Sequence, residues 1–97
     1  MKAILIPVEG KAEIIEIDNE LEALQKAVGG YIETVTIAKD CCLIVDEEGL
    51  LKQYKRNDLA SIICGGHIYG PALIVGVDGE EFDDVPQQYI DAYMIEI

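Results

Sequence analysis

LEALQKAVGGYIETVTI, the stretch from Leu21 to Ile37, decides how the rest of the chain is read. Leu21, Leu24 and Val28 fall at i, i+3 and i+7, which lines one side of a helix with apolar groups, while Glu20, Glu22 and Lys26 fall off that side. Asn19 stands where a cap is needed, and Glu22, three residues on, completes the pattern of a capping box. Gly29 provides the left-handed residue that ends a helix, and Gly30 releases the chain into a strand. From Tyr31 to Ile37 the residues alternate and β-branched side chains dominate, which suits a pleated surface. Apolar groups occur on both sides of that strand, so the pattern alone leaves its inner face open.

Working outward, Lys2 to Val8 reads as a strand with Pro7 near its end, a mark of an edge or a bulge. Ala12 to Ile17 reads as a second strand, and Glu9-Gly10-Lys11 joins the two as a hairpin. On the other side, Lys39-Asp40 is a turn and Cys41 to Val45 a strand, so Tyr31 to Val45 forms another hairpin. Asp46-Glu47-Glu48-Gly49 is a turn with Gly49 expected at positive φ, and Leu50 to Tyr54 is expected to continue the meander. Asn57 caps a helix from Asp58 to Cys64, with Leu59, Ile62 and Ile63 expected inward and Gly65-Gly66 ending it. Ala72 to Val77, ALIVGV, lacks alternation and reads as a strand buried on both faces, with Pro71 at its start. Asp84 with Gln87 is expected to cap a last helix from Val85 to Met94, with Pro86 in its first turn and Tyr89, Ile90, Tyr93 and Met94 packed inward. The expected architecture is a single α+β domain spanning residues 1–97. Its sheet is mixed, mostly antiparallel, with five or six strands and two or three short helices.

The motifs VGGYIETV, IVDEEG and HIYGPALIVG, in that order, resemble a family of short proteins of unknown function. That family occurs in low-GC Gram-positive bacteria, their phages and other mobile elements. The resemblance runs from about Ala3 to Tyr93 and carries no catalytic set. Members often have a Gly-Leu-Pro turn after the glutamate-glycine turn; here Lys52, Gln53, Tyr54, Lys55 and Arg56 stand in that region, so a role tied to that loop does not carry over.

Ninety-seven residues with a 51% hydrophobic fraction support one modest core. No apolar run reaches the length of a membrane span, and MKAILIPVEG reads as a first strand rather than a signal peptide. Three cysteines, two of them adjacent, are not a disulfide framework, and Cys41 and Cys42 are expected to point to opposite faces. These features place the protein in the cytoplasm, away from membranes. The net charge of −12, from 19 acids against 7 bases, disfavours direct nucleic-acid binding.

Cys64 and His67 are spaced C-x-x-H. With Cys42 they would offer three soft metal ligands, but the paired C-x-x-C elements of zinc sites are missing, and no metal or cofactor is expected. The same pair would serve as thiol nucleophile and base, although a helix C-terminus disfavours a thiolate. The glycine-rich run Gly65 to Gly70 follows a helix, so it fails the context of a phosphate loop. The acidic turns at Asp46 and Asp78 lack the alternation of calcium loops.

A binding role is therefore expected, with an accessory protein of a mobile element or its host as the leading reading and a protein or small anion as the ligand. An acidic interaction module or nucleic-acid mimic, and a small Cys64–His67 enzyme, are the alternatives. The expected site comprises Tyr31, Lys52, Tyr54, Arg56, His67 and Tyr69, delivered by two glycine turns and a basic loop at one end of the sheet. Self-association is compatible with all three readings.

Overall fold

The computed structural model describes residues 1–94. Their elements are β1 (Lys2–Ile6), β2 (Glu13–Glu16), α1 (Leu21–Val28), β3 (Ile32–Ala38), β4 (Cys41–Asp46), α2 (Asp58–Cys64), β5 (Ala72–Asp78), β6 (Glu81–Asp83) and α3 (Gln87–Tyr93). The fold is α+β. The strand order is β2-β1-β5-β4-β3, with β6 also paired to β5, and every pairing is antiparallel.

The continuous apolar run of β5 explains its central place, since only a strand covered on both faces buries such a sequence. Its register sets Ile74 opposite Ile4 of β1 and Leu43 of β4, and Leu43 in turn opposite Val35 of β3. Ile4, Leu43 and Ile74 are fully buried, and each such side chain contributes roughly 1.5–3 kcal/mol of transfer free energy. This row faces α2 and α3, packing with Ala60, Val85 and Ile90. The other face carries Cys42, Ile44, Leu73 and Val75 beneath Leu24 and Val28 of α1. Cys41 and Cys42 thus fall in different halves of the core, as strand alternation requires. Pro7 directly follows β1, and Pro71 directly precedes β5, so neither interrupts a ladder.

Several local expectations are corrected. Glu20, not Asn19, is the N-cap of α1, and it makes no side-chain capping bond. The Asn19 amide instead donates to the Phe82 carbonyl at 2.8 Å, tying the α1 entry to β6. Leu50 to Tyr54 forms turns rather than a strand, because Lys52 N bonds back to the Glu48 carbonyl and Tyr54 N to that of Gly49. Gly49 does not adopt positive φ. It is needed for space, since a Cβ there would collide with the Tyr69 carbonyl oxygen. Asp84 accepts from Lys2 N at 2.7 Å, and the N-cap of α3 is Pro86.

Asn57 caps α2 as expected, through the Ala60 amide at 3.1 Å. The inward side of α2 is Ala60 and Ser61, with Ile63 half-buried, while Leu59 and Ile62 are exposed. The small residues let the helix backbone sit close to the sheet, and the Ser61 hydroxyl accepts from Ile68 N at 2.8 Å. Among the described residues, no helix is long and apolar enough to cross a membrane.

Candidate functional site

β4 ends in Asp46, the sixth consecutive buried residue of that strand. Alternation puts Asp46 on the same face as Cys42 and Ile44, directly under the glycine turn that ends α1. Its Oδ1 accepts from Glu48 N at 2.9 Å, and its Oδ2 accepts from Lys52 Nζ at 2.8 Å. The same ammonium donates to the Gly29 carbonyl at 3.1 Å and lies 5.8 Å from the centre of the Tyr54 ring. Gly29 adopts φ of 104°, the left-handed residue that closes α1. A Cβ on Gly30 would meet the Lys52 ammonium and crowd the Asp46 carboxylate, so a side chain there would push the ammonium from its present position.

Burial pushes the Asp46 carboxyl up, but the Lys52 ammonium, the Glu48 amide and the Tyr54 hydroxyl outweigh it and hold the group below its usual range. The hydrogen bond to Asp46 raises Lys52 in turn. Lys52 and Tyr54, two of the expected site residues, are therefore brought together around a buried carboxylate that serves the fold.

The other two cations of the basic loop are also paired. Lys55 Nζ lies 2.8 Å from Glu9, and Arg56 Nη1 lies 2.7 Å from Asp58. Arg56 also forms an isolated backbone bridge with Tyr69. The basic loop is locally compensated at each of its three cations, which leaves little field to attract an anion.

Two clefts open at this end of the sheet, on adjoining residues. One, of about 310 Å³, is lined by Val8, Glu9, Tyr54, Lys55, Gly70 and Pro71. The other, of about 300 Å³, has Val45 and Ile68 in its lining together with Glu33, Glu47, Leu50, His67 and Tyr69. Both stand at the lower limit of ligand-site size. The second gathers the more varied chemistry: an imidazole, a phenol, exposed carboxylates and an exposed leucine. His67 and Tyr69 share this cleft, whereas Tyr54 belongs to the first. Tyr31 lies just before β3 with an exposed side chain, and its carbonyl accepts from Glu47 N at 2.9 Å. Tyr31, Lys52 and Arg56 line neither cleft.

Cys64 is half-buried, with its Sγ 3.7 Å from the Ser61 carbonyl oxygen, and it lies outside the lining of the His67 cleft. Among the described residues, no group of three or more His, Cys, Asp or Glu side chains is arranged to hold a metal ion.

Sequence reasoning missed Asp46, Glu33, Glu47 and Leu50. For Asp46 a signal was present: it extends the apolar run CCLIV on the face of Cys42 and Ile44, and a lysine follows six residues later. Glu33, Glu47 and Leu50 carry no such pattern, since their meeting depends on how β3, the β4 turn and the Ile68 segment come together.

The chain belongs to a family described as a domain of unknown function (DUF3846), which matches residues 1–97. No curated protein and no solved structure matches it.

Proposed function

We infer that the chain acts by binding a protein partner rather than by catalysis, in an accessory role for a mobile element or its host, and that a basic side chain of the partner enters the cleft beside His67. The observation carrying this reading is the pairing of Lys52 with Asp46, Lys55 with Glu9 and Arg56 with Asp58. With the basic loop compensated, a small anion has little to hold it. The cleft instead presents Glu47, exposed and without an ion-pair partner among the described residues, beside Leu50 and Tyr69. A lysine or arginine would lay its aliphatic stem on Leu50 and Tyr69 and bring its charge to Glu47. The overall charge of −12 would steer such a partner in.

Nucleic-acid mimicry gains no support from the arrangement of acids, which come from β2, α1, β3, α2, α3 and the β5–β6 hairpin rather than from one element. A Cys64–His67 enzyme gains none from the cleft, which includes His67 without Cys64.

The reading is tested by fluorescence-polarisation titration with a labelled lysine- and arginine-bearing peptide, an acidic counterpart and inorganic phosphate. Binding of the basic peptide, weakened by salt and by Glu47→Gln, is the expected result. Preference for phosphate or the acidic peptide would overturn it. Pull-down from a low-GC Gram-positive lysate then identifies the natural partner.

A further inference from the structure

Among the described residues, β2 and β3 end the main run of the sheet, each paired on one side, and they are built differently. β2 is four residues long with a glutamate at each end, a short charged edge of the kind that discourages pairing. β3 is seven residues long, contains no proline, and carries one charged side chain, Glu33. Among the described residues it pairs with β4 alone, in unbroken register from Ile32 to Thr36 and with a bulge between Thr36 and Ala38. α2 packs against this strand, and its Leu59 and Ile62, one turn apart, are turned away from the core, with Ile62 75% exposed. Among the described residues, an uncovered strand edge and an unpartnered apolar helix side therefore belong to elements that touch each other.

We propose that the β3 edge and the outward side of α2 form an interface between two copies of this chain, paired antiparallel about a two-fold axis. The charge distribution selects this occupant. Within a chain of net charge −12, the span from Tyr31 to Lys39 holds one acid and one base, Glu33 near its start and Lys39 at its end. In the antiparallel register centred on Thr36, Glu33 of each copy stands opposite Lys39 of the other, so the ends are complementary twice over. The edge side chains Thr34, Val35 and Thr36 are β-branched and suited to a cross-strand ladder. That register sets Ile32–Thr36 of each copy against the bulged end of the other strand, so the ladder is short, and Leu59 and Ile62 of the two copies supply the apolar cover that it lacks. Glu33 also borders the His67 cleft. Lys39 of the second copy would close that side and leave Glu47 to face a ligand. This proposal does not rest on the binding function inferred above.

Sedimentation equilibrium of the full chain across a range of concentrations tests it, together with hydrogen exchange of the Ile32–Thr36 amides. The expected result is a dimer whose formation slows exchange of amides in that segment. Glu33→Lys and Lys39→Glu should each weaken dimerisation about tenfold by setting like charges opposite one another, and the double swap should restore it. Ile62→Glu should weaken it without changing the far-ultraviolet circular dichroism. A chain that stays monomeric up to the millimolar range overturns the proposal. So does a dimer indifferent to both Ile62→Glu and the charge reversals, since it would use another face.

Discussion

Lys52 Nζ lies 2.8 Å from Asp46 Oδ2, joining the turn after β4 to a carboxylate with no exposed side-chain surface. Because Lys52 also donates to the Gly29 carbonyl, one ammonium fastens the end of α1, the end of β4 and the following turn. Removing the negative charge should loosen all three. Asp46→Asn is expected to cost about 1.5–3 kcal/mol at neutral pH, the range for hydrogen bonds to charged groups. The sign of the pH dependence follows from the lowered folded value: the contribution is present above the unfolded value of 3.8 and is lost as pH falls through the folded one. Urea denaturation of wild type and Asp46→Asn should therefore show a gap at pH 7 that narrows as the medium is acidified. A gap that stays constant to the acid limit would show that the charge of Asp46 is not what stabilises this corner.

Asn57 makes a different kind of junction. It is 1% exposed; its amide donates to the carbonyls of Ile6 and Gly70, both at 3.0 Å, while its oxygen caps α2 through Ala60 N. Aspartate is as good an N-cap as asparagine, but it offers no donor to those carbonyls. Asn57→Asp is thus expected to destabilise by at least about 2 kcal/mol at pH 7, because it buries a carboxylate against two carbonyl oxygens. Equal midpoints for wild type and variant in chemical denaturation would rule this account out.

The features that sequence reasoning reached are those governed by local periodicity. Two adjacent cysteines in a strand must face opposite ways, ALIVGV must be covered on both sides, and Asn57 before a short apolar helix must cap it; all three hold. The features it missed depend on partners distant in the chain. Asn19 has the right identity for a cap, yet Phe82, 63 residues away, takes its amide. Leu59 and Ile62 match an inward apolar side, yet Ala60 and Ser61 face in because Ser61 serves Ile68 N and its size permits close approach. The basic loop was legible as charge, but each compensating carboxylate, Glu9 above all, was visible only in three dimensions.

Two glycines separate the steric and the conformational uses of that residue. Gly79 sits at φ of 64° with open space around it, so Gly79→Ala should cost about 1–2 kcal/mol through backbone strain alone. Gly49 has no such φ, but a Cβ there would run into the backbone carbonyl of Tyr69, which cannot swing aside as a side-chain tip would. Gly49→Ala should therefore be the more damaging change and should also disturb the His67 cleft, whose lining includes both Gly49 and Tyr69. Thermal denaturation of the two variants checks the order, and a smaller loss for Gly49→Ala would contradict it.

The cysteines provide a chemical probe of the same core. Burial pushes the Cys41 thiol up to about 12, with smaller contributions from Cys42 and Asp40, and burial pushes Cys42 up to about 11. Both thiols are buried, on opposite faces, whereas Cys64 is half-buried beside the end of α2. Alkylation requires the thiolate and access to it. In the native protein at pH 8, iodoacetamide should therefore modify Cys64 first, with Cys41 and Cys42 reacting only when the chain unfolds. Linkage gives a second consequence. The unfolded thiols ionise near 9.0 and the folded ones resist, so the stability they contribute is present below pH 9 and is lost as pH rises toward 11 and 12. The alkaline fall in denaturation midpoint should be shallower for a Cys41→Ala, Cys42→Ala double variant than for wild type, once each curve is referred to its own value at pH 8. Rapid native-state labelling of Cys41 or Cys42, read by peptide mass mapping, would mean that the β4 region opens without global unfolding.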